Sequence, residues 1–364
     1  MKILIELDTN DTKIGAVNDV LDLARYSKQF GLEYYLSGPL NDELKSAAKS
    51  CGMGLVPFHS LQISKRRFLS FTLNVVKWIF IIKKIGPDII HLNYVSWGPS
   101  LGLAAYLCGI PVVARAGGSY NKKNLTHRWV ARYVANCVQQ GESLSRSAIA
   151  DKVVVAGDLI NIERFNNIGT PVEPYPKKTE GVIRFLFLGQ LVERKGIDIL
   201  IEAFNNVSQN SELLLVGGDW DNPGFPQKIK KMIHDYNLAD RVNCLNHRDD
   251  AMAIMRDCDV FVLPSLSEAR PRSIIEAMLM GKCVLATKVG GIPTLIQDGE
   301  TGLLVNAKDS RSLADAMEKL IIDKDFRYIL SAKAQKYALK TFDPVKTAKN
   351  YYNMYVDVLN EKKL

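Results

Sequence analysis

The chain has no stretch of about 18 uncharged apolar residues, which excludes an ordinary transmembrane helix. It has no cysteine pair at metal-ligand spacing. Cys51, Cys108, Cys137, Cys244, Cys258 and Cys283 are far apart and mostly flanked by apolar residues, and they read as reduced thiols of a cytosolic protein. There is no low-complexity tract and no internal repeat, so no array of stacked repeats is expected. Asp257-Cys258-Asp259 has the letters of a D-x-D metal motif but leads into an expected strand rather than ending one, and no metal is expected. No RNP-type motif is present, so nucleic acid is not expected as a partner. The opening Met1 to Asp8 turns acidic too soon for a signal peptide and reads as a buried first strand.

What is present is an ordinary globular balance, 47% hydrophobic and 24% charged over 364 residues, enough for two or three domains. The net charge of +8 is unevenly spread. Residues 1–180 carry 22 Lys+Arg against 15 Asp+Glu, a net +7, while 181–364 carry 25 against 24. An anionic partner is therefore expected for the first half.

Short apolar runs alternate with helical spacings, the signature of βαβ units on parallel sheets. Strands are expected at 2–7, 33–37, 88–91, 111–115 and 152–156, then at 182–188, 211–216, 242–245, 259–263, 283–286 and 303–305. Helices are expected at 15–30, 41–50, 68–84 and 97–108, then at 195–207, 225–237, 249–257, 273–280, 310–322 and 325–341. Residues 166–180 hold Gly169, Pro171, Pro174, Pro176, Lys177 and Lys178 with few apolar residues, and read as a linker. The expectation is an α/β protein of two Rossmann-like, doubly wound domains, at 1–165 and 181–342. The segment 343–364 has helical spacing and either packs on its own domain or crosses back to the first.

The sharpest chemistry lies in the second half. Glu268 and Glu276 stand eight positions apart, the first in a loop and the second in the following helix. Helix N-termini attract anions. One carboxylate before such an end and one inside the helix can bracket a phosphate-bearing ligand. Pro271 suits the first helical turn. The Arg272 side chain and the amides of Arg270, Arg272 and Ser273 would surround an anion. Ile274, Ile275, Ala277 and Met278 around Glu276 argue for burial, and a buried carboxylate needs a partner.

Earlier, Gly189 ends a strand, and Gln190 leads toward Arg194 and Lys195 at a helix start, where a diphosphate would find positive charge. The bland alternative is a solvated basic helix start. Strand-ending glycines recur at Gly217-Gly218 and Gly290-Gly291. His247 follows a strand, either facing a nucleobase edge or lying on the surface.

In this order the pieces resemble the C-terminal domain of family 4 glycosyltransferases, retaining enzymes of the GT-B fold that use nucleotide-sugar donors. The likeness is strong over roughly 183–305 and weaker through the first half. It rests on the E-x7-E pair, Lys195-Gly196, and the run Val289-Gly290-Gly291-Ile292-Pro293 with Asp298-Gly299-Glu300-Thr301-Gly302. The resemblance implies roles. Glu276 would hold the donor ribose, Glu268 would approach the donor sugar, and Lys195 would neutralise the diphosphate. The amides near Arg270 and Arg272 would donate to phosphate and sugar.

The chain departs from the pattern at named places. Gln190 replaces an arginine, with Arg194 a substitute charge. Ala269 and Arg270 replace a glycine and an aromatic. Gly15 is the single glycine of a loop that usually has two. Asn93 replaces the second histidine of an H-x-H, of which His91 is the first, and His91 reads equally as a satisfied structural histidine. Gly117-Gly118 would line the cleft, and Gly157-Asp158-Leu159 stands where the hinge pattern is expected.

The segment 64–84 is basic at both ends and aromatic between. It is either an interfacial membrane helix or a core helix with basic caps, and Lys122-Lys123, Arg128 and Arg132 add to the positive charge. The implied function is transfer of a hexosyl-type sugar (EC 2.4) from a nucleotide diphosphate sugar, UDP favoured, to a glycan or lipid-linked hydroxyl in surface polysaccharide synthesis. It would run without a metal, in a cleft between the domains, in the cytoplasm or at the membrane's cytoplasmic face. The alternatives are a nucleotide-sugar epimerase and a catalytically silent sugar-nucleotide-binding subunit.

Overall fold

The computed structural model describes residues 1–7, 9–10, 15–59, 68–93, 99–115, 129–135, 152–165, 168–171, 174–218 and 224–361. The chain divides into two compact units. One is Met1–Asn161 together with Phe342–Leu364, and the other is Ile162–Thr341.

In the first unit the described strands are β1 (Lys2–Glu6), β2 (Glu33–Ser37), β3 (Gly54–Val56), β4 (Ile89–Leu92), β5 (Val112–Arg115), β6 (Val130–Ala135) and β7 (Val153–Val155). They form one parallel sheet in the order 3-2-1-4-5-6-7. Parallel pairing requires crossovers. These include α1 (Gly15–Ser27), α2 (Asp42–Ser50), α3 (Phe68–Ile85) and α4 (Pro99–Leu107). Asn41 caps α2 by accepting from the Leu44 N–H at 2.8 Å. Alternation along β1 sends Ile3 and Ile5 to one core and Leu4 to the other. β3 and β6 were not expected. Three residues are too few to show a period, and Arg132 interrupts β6.

The second unit holds β8 (Ile183–Leu188), β9 (Ser211–Val216), β10 (Val242–Leu245), β11 (Val260–Leu263), β12 (Cys283–Thr287) and β13 (Leu303–Val305). They pair in parallel in the order 10-9-8-11-12-13. Its helices include α5 (Ile197–Phe204), α6 (Gly224–Asp235), α7 (Ala251–Arg256), α8 (Arg272–Leu279), α9 (Ser310–Ile322) and α10 (Lys324–Thr341). α5 starts two residues later than expected. Glu193–Lys195 makes a 3-10 turn that ends on left-handed Gly196, φ +65°. A Cβ there would lie 2.2 Å from the Pro264 carbonyl oxygen, so only glycine allows this approach.

The proline-rich segment read as a linker is held against the second unit in its described part. Arg184, fully buried, donates to the Pro176 carbonyl at 2.9 Å and to Glu212 at 2.7 Å. Tyr175 donates to Asp257, Lys178 bonds Asp259, and Arg256 donates to the carbonyls of Ile168 and Gly169. The carbonyls of Ile168, Gly169 and Pro176 serve as acceptors, and the division between the units falls after Asn161.

The last helix, α11 (Pro344–Glu361), belongs to the first unit. Tyr351, Met354, Tyr355 and Val358 join the core formed by Ile3, Ile5 and Val17. Thr347 Oγ1 and Asn350 Nδ2 donate to the carbonyls of Asp158 and Ala156.

Each sheet reverses its strand order at one place, between β1 and β4 and between β8 and β11. Ligands of open α/β sheets bind outside the carboxyl ends of the strands at such a point.

Candidate functional site

At the reversal in the second unit, two loops meet. The loop after β8 brings Lys195 and the loop after β11 brings Glu268. Lys195 Nζ donates to Glu268 Oε1 at 2.5 Å, with side chains 13% and 8% exposed. Ser265 Oγ donates to the same oxygen at 2.7 Å, and Thr287 Oγ1 donates to the Ser265 carbonyl. The Leu266 N–H donates to the Arg194 carbonyl, which ties the two loops at the backbone as well. The lysine read as a diphosphate partner thus sits on a carboxylate.

The Glu268 loop is pressed against the turn after β12. Gly290 has φ +51°, and a Cβ on it would stand 1.6 Å from the Glu268 carbonyl oxygen. The Gly291 N–H donates to the Ala269 carbonyl at 3.0 Å. The glycine pair thus seats the backbone of the first glutamate. Arg270 donates to Thr294 Oγ1, so its side chain is engaged with that turn.

α8 carries the second glutamate. Pro271 is its N-cap, at ψ 117°, one residue before the expected first turn, and Arg272 begins the helix. Ser273 is the second helical residue, where an N–H has no intrahelical acceptor. Glu276 is 8% exposed. Its Oε1 accepts from Arg164 Nη2 and lies 3.6 Å from Arg272 Nε, one turn back. Burial of Glu276 was legible from its neighbours. Arg164 was not, because it lies 112 residues upstream.

The other expected residues of this unit stand apart from these pairs. Gly189 donates its N–H to the Val216 carbonyl, and its Cα lies near the Lys195 stem. Arg194 Nη2 donates to Gln190 Oε1 at 2.8 Å on an exposed part of the loop. His247 Nε2 lies 3.1 Å from Asp249 Oδ1, beyond the end of β10. Among the described residues no cluster of His, Cys, Asp or Glu is arranged to hold a metal ion.

In the first unit, Gly15 opens α1 and Asn93 follows β4, both at the strand-order reversal. Asn93 is 1% exposed, and its Nδ2 has no partner among the described residues. His91 has a structural role. It shares a 2.7 Å hydrogen bond with the Tyr355 hydroxyl and stacks on Tyr351. Burial, with the Arg115 guanidinium nearby, pushes His91 down to about 3, so its imidazole is neutral. Burial also raises the Tyr351 phenol to about 12 and pushes Tyr355 well above its ordinary value.

On α3, Leu73, Val76 and Phe80 are exposed, with Tyr106 and Leu107 exposed at the end of α4. No helix among the described residues is long and apolar enough to cross a membrane. Residues 11–14, 64–67, 117–118, 122–123 and 128, singled out in the sequence, lie outside the described residues.

Residues 174–338 match the family model of the group 1 glycosyl transferases. Over 351 residues the chain is 26% identical to the UDP-Gal:alpha-D-GlcNAc-diphosphoundecaprenol alpha-1,3-galactosyltransferase of Escherichia coli, covering 90% of this chain and 88% of that relative. A glycosyltransferase of Rickettsia africae superposes with a TM-score of 0.84 at 20% identity, covering 98% of each chain. HepE of Anabaena, solved in complex with UDP-glucose, superposes with a TM-score of 0.80 at 20% identity, covering 98% of this chain and 100% of HepE. Two Rossmann-like parallel-sheet domains with these likenesses make the fold GT-B. The family match and the relatives support a glycosyltransferase of the group 1 type.

Proposed function

We propose that the protein transfers a sugar, with retention, from a nucleotide diphosphate sugar to a hydroxyl of a glycan or lipid-linked acceptor in surface polysaccharide synthesis. The observation that carries this reading is the Lys195–Glu268 pair at the strand-order reversal, with buried Glu276 in the helix that follows. A UDP-sugar is the favoured donor, supported by the UDP-linked name of the Escherichia coli relative and the UDP-glucose complex of HepE. The diphosphoundecaprenol acceptor of that relative supports a lipid-linked acceptor.

In this reading the bond between the anomeric carbon and the β-phosphate oxygen breaks, and the acceptor oxygen bonds that carbon from the same face. The acceptor proton leaves with the diphosphate. Lys195 exchanges Glu268 for the diphosphate and neutralises its growing charge, aided by Arg194 and the amides at the start of α8. Glu268, released, faces the donor sugar, and Glu276 accepts from the ribose hydroxyls. Asn93, buried with an unused N–H, donates to a hydroxyl of the sugar or acceptor; it cannot exchange protons as a histidine would. We assign charge neutralisation to these groups and not to a metal ion. Transfer should then persist in excess EDTA.

The test is to incubate the protein with each nucleotide sugar, with and without lipid-linked acceptors, and follow nucleoside diphosphate release. Glu276→Ala and Lys195→Ala should each cut transfer sharply while the fold persists, and full activity in both would sink the assignment. Conversion of a donor alone would favour an epimerase. Binding without turnover would favour a silent subunit.

Peripheral membrane attachment belongs to the same proposal. Leu73, Val76 and Phe80 recur at helical spacing on α3 beside Lys77, Lys83 and Lys84, in the half of the chain that carries +7. Sedimentation with anionic vesicles at low salt should recover the protein in the pellet, and high salt should release it. Absence from the pellet at low salt removes this part.

A further inference from the structure

Arg164 sits in a 3-10 turn, Ile162–Phe165, at the start of the second unit. Its guanidinium lies over the Phe165 ring, 5.3 Å from the centroid, and Nη2 donates to Glu276 Oε1. Nε is buried with no hydrogen-bond partner, so the guanidinium is held to Glu276 through Nη2. Arg272 Nε approaches the same oxygen but stays 3.6 Å away, beyond a good hydrogen bond. Both arginines therefore address one oxygen of the carboxylate. The other, Oε2, accepts no hydrogen bond among the described residues and is not wholly buried, so it keeps some open surface.

A carboxylate with one oxygen pinned and the other open is a prepared acceptor. Glutamate loses side-chain freedom when ordered. Here the ordering has already been done by Arg164. An ionised carboxylate accepts hydroxyl protons more strongly than a neutral one. Two guanidiniums beside one carboxylate also leave the site net positive toward a nucleoside diphosphate.

We infer that Arg164 is a positioning residue for the donor's ribose: it locks Glu276 Oε1 so that Oε2 meets the ribose hydroxyls. The inference rests on the reading of Glu276 as the ribose acceptor. It predicts that the effect of Arg164 is felt through those hydroxyls and nowhere else on the donor.

The experiment is a binding cycle by calorimetry. Wild-type protein is titrated with UDP, GDP, ADP and CDP, then with the 2′,3′-dideoxy form of the tightest binder. Arg164→Ala and Arg164→Lys are titrated with the same pair. Arg164→Ala should weaken the ribonucleotide about tenfold, the size of one charge-assisted hydrogen bond. It should leave the dideoxy form within about twofold, an energy below one ordinary hydrogen bond. Arg164→Lys, which keeps the charge, should recover part of the loss. In turnover the change should fall on donor KM, with kcat little altered. Because the two ligands are compared on one protein, a loss of fold cannot imitate the result. Equal weakening of both ligands, or no weakening of either, overturns the inference and leaves Glu276 as ribose acceptor standing. If wild type binds none of the four nucleotides, the donor reading itself falls, and this inference with it.

Discussion

Lys195 Nζ and Glu268 Oε1 lie 2.5 Å apart across the two loops that meet where the second sheet reverses its strand order, 73 residues apart in the chain. The pair neutralises two charges that are mostly withdrawn from water. Removing one partner strands the other, which for buried pairs costs about 3 kcal/mol. Lys195→Met should lose that much in chemical denaturation. The double variant Lys195→Met, Glu268→Gln should regain more than half of it, because no charge is left unpaired. Sugar transfer should stay lost in both. A double variant as unstable as the single one would show that the ion pair is not what the stability depends on.

The seating of Glu268 by the glycine turn gives a second test. Gly290→Ala adds a carbon 1.6 Å from the Glu268 carbonyl oxygen on a left-handed backbone. The backbone term alone costs about 1–2 kcal/mol, and the clash adds to it. The expected loss is at least about 2 kcal/mol in urea unfolding, together with impaired transfer. Gly31→Ala has a φ of the same sign and nothing within 4 Å, so it should lose only about 1 kcal/mol. Equal losses in the two variants would contradict the close approach.

His91 sets a pH dependence in the first unit. Its folded value of about 3 lies below the ordinary 6.5, so between these pH values the unfolded chain binds a proton that the folded chain refuses. Stability from this group is therefore complete above pH 6.5. It falls on acidification at about 1.4 kcal/mol per pH unit. His91→Gln should flatten the stability profile over this window by that slope. An imidazole that titrates near 6.5 in the folded protein, seen in its NMR ring-proton shift, would refute the burial argument.

The last helix should be integral to the first unit. Tyr355→Ala removes a fully buried ring and the partner of His91, an effect of about 3–5 kcal/mol by analogy with buried aromatic deletions. Hydrogen exchange should accelerate in β1 and β4 while α5 and α8 keep their protection. Leu339→Ala, at a residue 55% exposed on α10, should be nearly silent. Faster exchange confined to the second unit would contradict the placement of the helix.

Much of this was legible in the chain. The opening run, read as a buried first strand, became β1, and the runs at 211–216, 242–245 and 303–305 became strands with those bounds. The apolar neighbours of Glu276 announced its burial. The short β3 and the arginine-interrupted β6 were not legible, since neither carries a full period. The segment 166–180 read as a linker from its prolines and lysines, and the bond from buried Arg184 to one of its carbonyls was not legible. His91 had two equal readings until Tyr355, 264 residues away, was seen against it.

The sequence by itself determined the class of fold, the strands that alternate with helices, and the glycines that end several strands. These follow from spacing and backbone sterics within a few residues. Tertiary structure alone decided that Lys195 meets Glu268, that Arg164 holds one oxygen of Glu276 and leaves the other open, and that the final helix packs with the first strands. Such pairings depend on which loops the sheet order brings to one edge, and strand order in a parallel sheet is set by packing over hundreds of residues, not by local pattern.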